Sequence, residues 1–307
     1  FYLLIGIINN SMDKIIKLQP GKYLVAVSGG VDSVVMLDVL AQDKKLDLIV
    51  AHFDHGIRDE SAKDQIFVKT LASKYQLPFY SKRVDLGANS SEEKARDARY
   101  NFLCQLASEL GARAVVTAHH QDDVIETCII NLIRGTGRHG LSSLKSRPGL
   151  ERPLIKVTKE QILKYATTNN LDWCEDPTNK DMKYLRNKVR NQLLPKMTAE
   201  QRTYLLQIIT ASSKLNIEID KQIDFLLSRL IHKGQPILSR KLFTRLDDAL
   251  SREIIYSLLR KFRFASTDKK TIDRIVVQVK TLPAGKVIDF TTGRVLITKR
   301  SARFVKN

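Results

Sequence analysis

Leu24-Val25-Ala26-Val27-Ser28-Gly29-Gly30-Val31-Asp32-Ser33 decides the fold of this chain. Its apolar first half reads as a buried strand, Ser28-Gly29-Gly30 as a tight turn, and Val31 onward as an opening helix. A strand, a small-residue loop and a helix N-terminus together make an anion site. Backbone N–H groups converge on the loop, and the helix dipole adds positive potential. Gly29 and Gly30 let an oxyanion approach the backbone closely. Ser28 and Ser33 add hydroxyl donors, and Asp32 is placed to hold Mg2+ on bound phosphates. The Gly-Lys-[Ser/Thr] ending of a Walker loop is absent, and so is G-x-G-x-x-G. The expectation is a pyrophosphate site formed by Ser28, Gly29, Gly30, Val31, Asp32 and Ser33, with Asp32 as the metal ligand.

The chain has 307 residues, 43% of them hydrophobic, enough for a full-sized domain and a smaller second one. No apolar run approaches membrane-spanning length, so no membrane partner is expected. The apolar start Phe1-Tyr2-Leu3-Leu4-Ile5 lacks a basic flank and a cleavage site, which argues against a signal peptide. Net charge is +18, and it is uneven: residues 201–307 hold 22 Lys and Arg against 9 Asp and Glu, a surplus of 13. A last third this basic suggests a nucleic-acid partner. Cys104, Cys128 and Cys174 form no Cys-x-x-Cys, so neither a zinc knuckle nor an iron–sulfur cluster is indicated. Unpaired thiols fit a reducing compartment.

Working outward, Leu46–Asp54 reads as a second strand that runs into His52-Phe53-Asp54-His55-Gly56-Ile57-Arg58. In a parallel α/β sheet, ligand-binding residues gather just beyond the carboxyl ends of strands, so His52 is a candidate lining residue. A helix over 61–75, a strand over 78–84 and a helix opened by Ser90-Ser91-Glu92-Glu93 follow. Arg96 and Arg99 on that helix share one face. Ala114–Ala118 is a fourth strand, ending in His119-His120-Gln121-Asp122-Asp123-Val124-Ile125-Glu126. There Asp122, Asp123 and Glu126 cluster at a helix start. The glycine-rich run 134–141 suggests a mobile loop. Residues 201–232 read as linked helices, followed by helices over 247–262 and 271–280 and a terminal hairpin over 286–298.

Ser-Gly-Gly-Val-Asp-Ser resembles the PP-loop of the N-type ATP pyrophosphatases, which split ATP between its α and β phosphates. Four stretches narrow the resemblance: Ser28–Ser33, His52–Arg58, His119–Thr127 and Arg134–Leu141. They occur in the order and approximate spacing of the tRNA(Ile)-lysidine synthetase family. Arg152-Pro153-Leu154, Glu175-Asp176-Pro177-Thr178-Asn179 and Arg186-Asn187 with Arg190 extend the match over roughly residues 20 to 200. Ala118 departs from the glycine usual in that family.

The resemblance implies a Rossmann-like parallel sheet with helices on both faces over 1–200. It also implies a smaller, mainly helical, basic tRNA-recognition domain over 201–307. The chain's end soon after that region reads as a short form. The implied reaction joins free L-lysine to C2 of the wobble cytidine of tRNA(Ile) with a CAU anticodon, using ATP and Mg2+ and passing through an adenylated base. Lysine arrives as an ammonium ion and needs a carboxylate and a proton acceptor. Asp123 and Glu126 are the first choices for its pocket, Glu175 and Asp176 the second. Arg96 or Arg99, with Arg186 and Arg190, would steady charge on the adenylated intermediate. A homodimer is expected, in the cytoplasm or in the stroma or matrix of an organelle. Two alternatives stay open: a tRNA thiolase of the same fold, which needs reactive or cluster-binding cysteines, and a non-catalytic nucleotide- and RNA-binding protein.

Overall fold

The structure, a computed structural model, describes residues 16–56, 61–85, 87, 92–175, 182–183, 185–264 and 267–307. The chain forms two compact units, Phe1–Thr210 and Ala211–Asn307.

The first unit is built on five parallel strands in the order β3-β2-β1-β4-β5. They are β1 (Gly21–Ala26), β2 (Leu46–Asp54), β3 (Phe79–Arg83), β4 (Ala114–Val116) and β5 (Leu150–Glu151). Register follows side-chain alternation. Tyr23, Val25 and Val27 point to one face, where they meet α1 (Val31–Ala41), α2 (Ser61–Lys74) and α6 (Lys159–Thr168). Leu24, Ile49, Ala51 and Val115 point to the other, onto Leu103, Leu106 and Ala107 of α3 (Glu92–Glu109). Strands apolar on both faces are what a doubly covered parallel sheet requires. After β1 the chain moves to β2 on one side, and after β3 it crosses to β4 on the other. That reversal opens a crevice at the carboxyl ends of β1 and β4.

The helix α4 (Gln121–Ile133) leaves β4. The glycine-rich run after it is only partly loop, because Arg138–Leu141 forms a short helix, α5. Gly140 there packs so tightly that an added Cβ would overlap the Thr136 side chain. Farther on, α7 (Leu185–Lys188) passes directly into a π-helical turn, Val189–Leu193.

Residues 201–232 are not linked helices. Ala199–Leu230 is one helix, α8, of 32 residues, uninterrupted by any proline or glycine. The second unit places α9 (Arg240–Phe243), α10 (Asp248–Lys261) and α11 (Lys269–Thr281) with a four-stranded antiparallel sheet of order β6-β9-β8-β7. The terminal hairpin is β7 (Val287–Phe290) with β8 (Gly293–Ile297). Two strands that sequence reading missed complete the sheet, β6 (Ile237–Ser239) and β9 (Ser301–Lys306). This unit therefore mixes helices with a sheet, around a core of Phe243, Ile254, Leu258, Ile275, Val295 and Phe304. Among the described residues, no helix is long and apolar enough to cross a membrane.

Candidate active site

The crevice holds a cavity of about 430 Å3, lined by Ser28, Gly30, Asp32, Ser33, His52, Phe53, His55, Arg99, Thr117 and His119, among others. Its floor is a preformed loop. The Ser33 hydroxyl donates to the Gly30 carbonyl at 2.8 Å, and the Ser28 N–H donates to Ser33 Oγ at 3.2 Å. Gly30 caps α1 without a side-chain cap hydrogen bond. The Ser33 N–H is taken by the Gly30 carbonyl at 3.0 Å, so the Val31 and Asp32 N–H groups are the ones that the helix start offers to an anion. Gly29 turns the chain with φ at +95°, a conformation that glycine adopts without strain. Gly29 and Val31 are not on the cavity wall. The Gly29 carbonyl accepts from the Cys174 N–H at 2.9 Å, and Val31 is buried in the core.

His52 is buried and its Nδ1 lies 2.9 Å from the Val27 carbonyl. A carbonyl only accepts, so Nδ1 carries the proton and Nε2 is left as an acceptor. His119 lies 3.0 Å from the Thr117 hydroxyl. Burial, with help from Arg152, Arg99 and Arg96, lowers its pKa to about 3 against the pull of Asp123, so the ring is neutral. Arg99 lines the cavity, whereas Arg96 stands over the Tyr100 ring at 5.2 Å and does not line it.

A second group of charges lies on α4 and the α7–π turn. Arg186 Nε is 2.6 Å from Glu126 Oε1, Arg190 Nε is 2.9 Å from Glu126 Oε2, and Arg190 Nη2 is 2.8 Å from Asp123 Oδ1. Both carboxylates chosen for the lysine pocket thus carry guanidinium partners. Asp123 also accepts the His120 backbone N–H at 2.9 Å, half of a capping box that starts α4. Burial works to raise the Asp123 pKa, but His120, its backbone N–H, Arg190 and His119 outweigh it and hold this carboxyl below the usual range. At Glu126 burial wins over Arg190 and Arg186, and the pKa is raised.

His120 links the two groups. Its Nδ1 accepts from the Asp122 N–H at 3.2 Å, which leaves Nε2 to carry the proton. Nε2 faces Asp123 Oδ2 at 3.5 Å and Asp32 Oδ2 at 3.8 Å. Asp32 in turn receives Lys159 Nζ at 2.5 Å. A continuous line of polar side chains therefore runs from Lys159 through Asp32, His120, Asp123 and Arg190 to Glu126 and Arg186. Glu175 is exposed and does not line the cavity. Asp176 and Arg58 lie outside the described residues.

Asp32 fits a Mg2+ ligand. The ion commonly takes one or two carboxylates and fills its other positions with water and phosphate, and Asp32 is a part-exposed carboxylate on the cavity wall. Among the described residues, no cluster of His, Cys, Asp or Glu would hold a metal on its own.

A family model for the PP-loop domain matches residues 6–197. The chain belongs to the PP-loop domain family. Among curated relatives, the tRNA(Ile)-lysidine synthase of Thermotoga maritima is 36% identical over 209 residues, covering 63% of this chain and 50% of the relative. That of Thermus thermophilus is 40% identical over 191 residues, covering 60% and 37%. That of Bacteroides thetaiotaomicron is 33% identical over 266 residues, covering 83% and 61%. This PP-loop chain thus spans about half the length of the curated relatives it matches. A solved structure, the U34-tRNA thiolase NcsA from Methanococcus maripaludis with its [4Fe-4S] cluster, matches with a TM-score of 0.57 and 16% identity, covering 70% of this chain and 80% of that one. That likeness shows the shared fold.

Lys159 escaped sequence reading, whereas Arg190 was expected at the site and only its partners were not foreseen. Lys159 is the direct partner of Asp32, at 2.5 Å. Arg190 bridges both carboxylates from 64 and 67 residues away. The π turn around Arg190 is the kind of helix irregularity that gathers at functional sites.

Proposed function

We propose that this chain attaches lysine to C2 of the wobble cytidine of tRNA(Ile) with a CAU anticodon, with ATP as the activating substrate. The observation that carries this reading is the juxtaposition of a phosphate-binding crevice with a second site holding two carboxylates and two guanidinium groups. A nucleotide hydrolase needs only the first. A mixed cluster offers opposite charge to both ends of a zwitterionic amino acid.

In the first step the C2 carbonyl oxygen of cytidine attacks the α-phosphorus of ATP and pyrophosphate leaves. The loop N–H groups and the Ser28 and Ser33 hydroxyls hold the phosphates and stabilise the charge that develops. Mg2+ on Asp32 would neutralise charge on the phosphate oxygens. Neutral His119 and the ring of His52 offer polar edges to nucleoside groups in the cavity. In the second step the ε-amine of lysine attacks C2 and AMP leaves. Glu126, with its raised pKa, takes the amine proton. Asp123 holds an ammonium group, and Arg186 or Arg190 turns to the amino acid carboxylate. Arg99 faces the adenylated base from the cavity wall. The product base pairs with A in place of G. The basic second unit supplies the tRNA-binding surface.

The relatives' names support this reading over the thiolase. So do the cysteines, since Cys128 is buried in the core, Cys104 is exposed on α3 and Cys174 adjoins Gly29. The test is ATP-dependent transfer of radiolabelled lysine into acid-insoluble RNA, using tRNA(Ile) with a CAU anticodon. Label that survives mild alkaline deacylation is on a base, as expected here. Pyrophosphate release and an adenylated tRNA without lysine would move the nucleophile to sulfur or ammonia.

A further inference from the structure

Lys159 breaks a local rule. It is the first residue of α6, at the positive end of the helix dipole, where a cation is disfavoured. Departures of this kind gather at functional positions. Its ammonium lies 2.5 Å from Asp32 Oδ1, with both side chains part-exposed at 36% and 29%. An ion pair this wet contributes little to stability, so stability does not account for placing a lysine here.

The backbone beneath Lys159 is firmly held. The Thr158 hydroxyl accepts from the Gln161 N–H at 3.2 Å, and Gln161 Oε1 accepts the Thr158 N–H at 2.9 Å. Ile162, Tyr165 and Ala166 are buried in the core shared with α1. The Tyr165 hydroxyl donates to Asp38 Oδ2 at 2.7 Å, and Asp38 is on α1, the helix that begins at the phosphate loop. So α6 is anchored to α1, and what can move is the four-carbon stem of Lys159.

We propose that Lys159 is a polyphosphate-binding residue of the nucleotide site. It neutralises Asp32 until nucleotide arrives with a divalent cation. It then transfers to an oxygen of the β- or γ-phosphate and leaves Asp32 to the cation. Two positive groups compete for one carboxylate, and a triphosphate carries charge enough for both. In that place the ammonium also stabilises the departing pyrophosphate. The inference rests on the ATP reading of the cavity and adds to it a residue outside the loop.

Calorimetric titration of the full chain with α,β-methylene-ATP, which cannot be split between its α and β phosphates, tests it without turnover. AMP is the control ligand, and Mg2+ is present throughout. Lys159→Met should weaken binding of the analogue by about 10- to 100-fold and change AMP binding by less than about twofold, since a hydrogen bond to a charged group is lost only with the longer ligand. Lys159→Arg should restore most of the loss. Analogue binding that is unchanged or tighter in Lys159→Met would overturn the inference, showing that Lys159 does no more than mask Asp32. Equal loss of both ligands would overturn it too, as a sign of damage to the loop. If the unaltered chain bound neither ligand, the ATP reading itself would fall, and the inference with it.

Discussion

In Phe1–Thr210, Asp38, His52, Asp54, His120, Glu126 and Arg152 are all buried; in Ala211–Asn307 the buried polar side chains among the described residues are Asn216, Ser251 and Ser257, none of which ionises. Burying an ionisable group is costly unless it is paired. The first unit accepts that cost near its crevice and in the line of polar side chains beside it. The second keeps its 21 Lys and Arg out of its core. Ionisable groups are thus buried in the first unit and kept at the surface in the second. The contrast gives a rule for reading this molecule: damage inside the first unit should alter chemistry, and damage to the surface of the second should alter capture.

The strongest challenge to that rule is Glu126→Gln. Removing a general base should lower lysine transfer by about 10²- to 10⁴-fold, with binding of α,β-methylene-ATP retained. Below its pKa Glu126 holds a proton and cannot take another, so transfer by the unaltered chain should fall as pH falls. Burial raises that pKa, so the acid limb should lie above the ordinary glutamate value of about 4.3. Rates measured across pH should show the limb in the unaltered chain and none in Glu126→Gln. A limb that persists in the variant would assign the proton to another group. Asp123 is a poorer choice for this test, because it also caps α4 and its loss would disturb the helix start.

Phe243→Ala strikes the second unit alone. The ring is fully buried among Ile254, Leu258 and Val279, and truncation of such a ring costs about 3–5 kcal/mol. Amide hydrogen exchange should then speed up in β6–β9 and α10–α11, while β1, β2 and α1 keep their protection. Equal acceleration in the first unit would show that the two are one cooperative body.

These two sites also differ in how far sequence exposes them. The strand–loop–helix around Ser28–Ser33 is local, and its glycines and its apolar run declare it. Thr158 and Asp247 likewise declare the helix starts that they cap. What stayed hidden is non-local pairing. The three residues of β6 find β9 across more than 60 positions of chain, and so short a strand leaves no periodicity to detect. Asp123 and Glu126 stood out as carboxylates at a helix start, but nothing in their spacing shows that Arg190 and Arg186 already hold them. Lys159 and Asp32 are 127 residues apart. The one local trace of their meeting is the misplaced charge at the first position of α6.

Tyr165→Phe is a smaller perturbation that joins the two kinds of site in the first unit. The Tyr165 hydroxyl donates to Asp38, and Asp38 keeps its other donors, the Tyr75 hydroxyl and Gln42 Nε2. Loss of one donor to a buried carboxylate should cost about 1.5–3 kcal/mol in urea unfolding. Because α6 carries Lys159, the same variant should weaken α,β-methylene-ATP binding more than AMP binding. A stability loss with no such selectivity would mean that α6 holds its place by apolar packing alone.

The smallest expected effect per residue belongs to the surface of the second unit. Arg294 on β8 and Arg303 on β9 are exposed, and both alternate with buried neighbours. Each Arg→Ala change that removes a phosphate contact should lower the slope of log affinity against log salt by about 0.7–0.9. The loss should be similar for tRNA(Ile) and for an unrelated tRNA, because a phosphate contact carries no sequence information. Nucleotide binding and the pH limb should not move. A variant that lost only tRNA(Ile) while keeping its salt slope would place base readout on this sheet, and the second unit would then discriminate among RNAs as well as hold them.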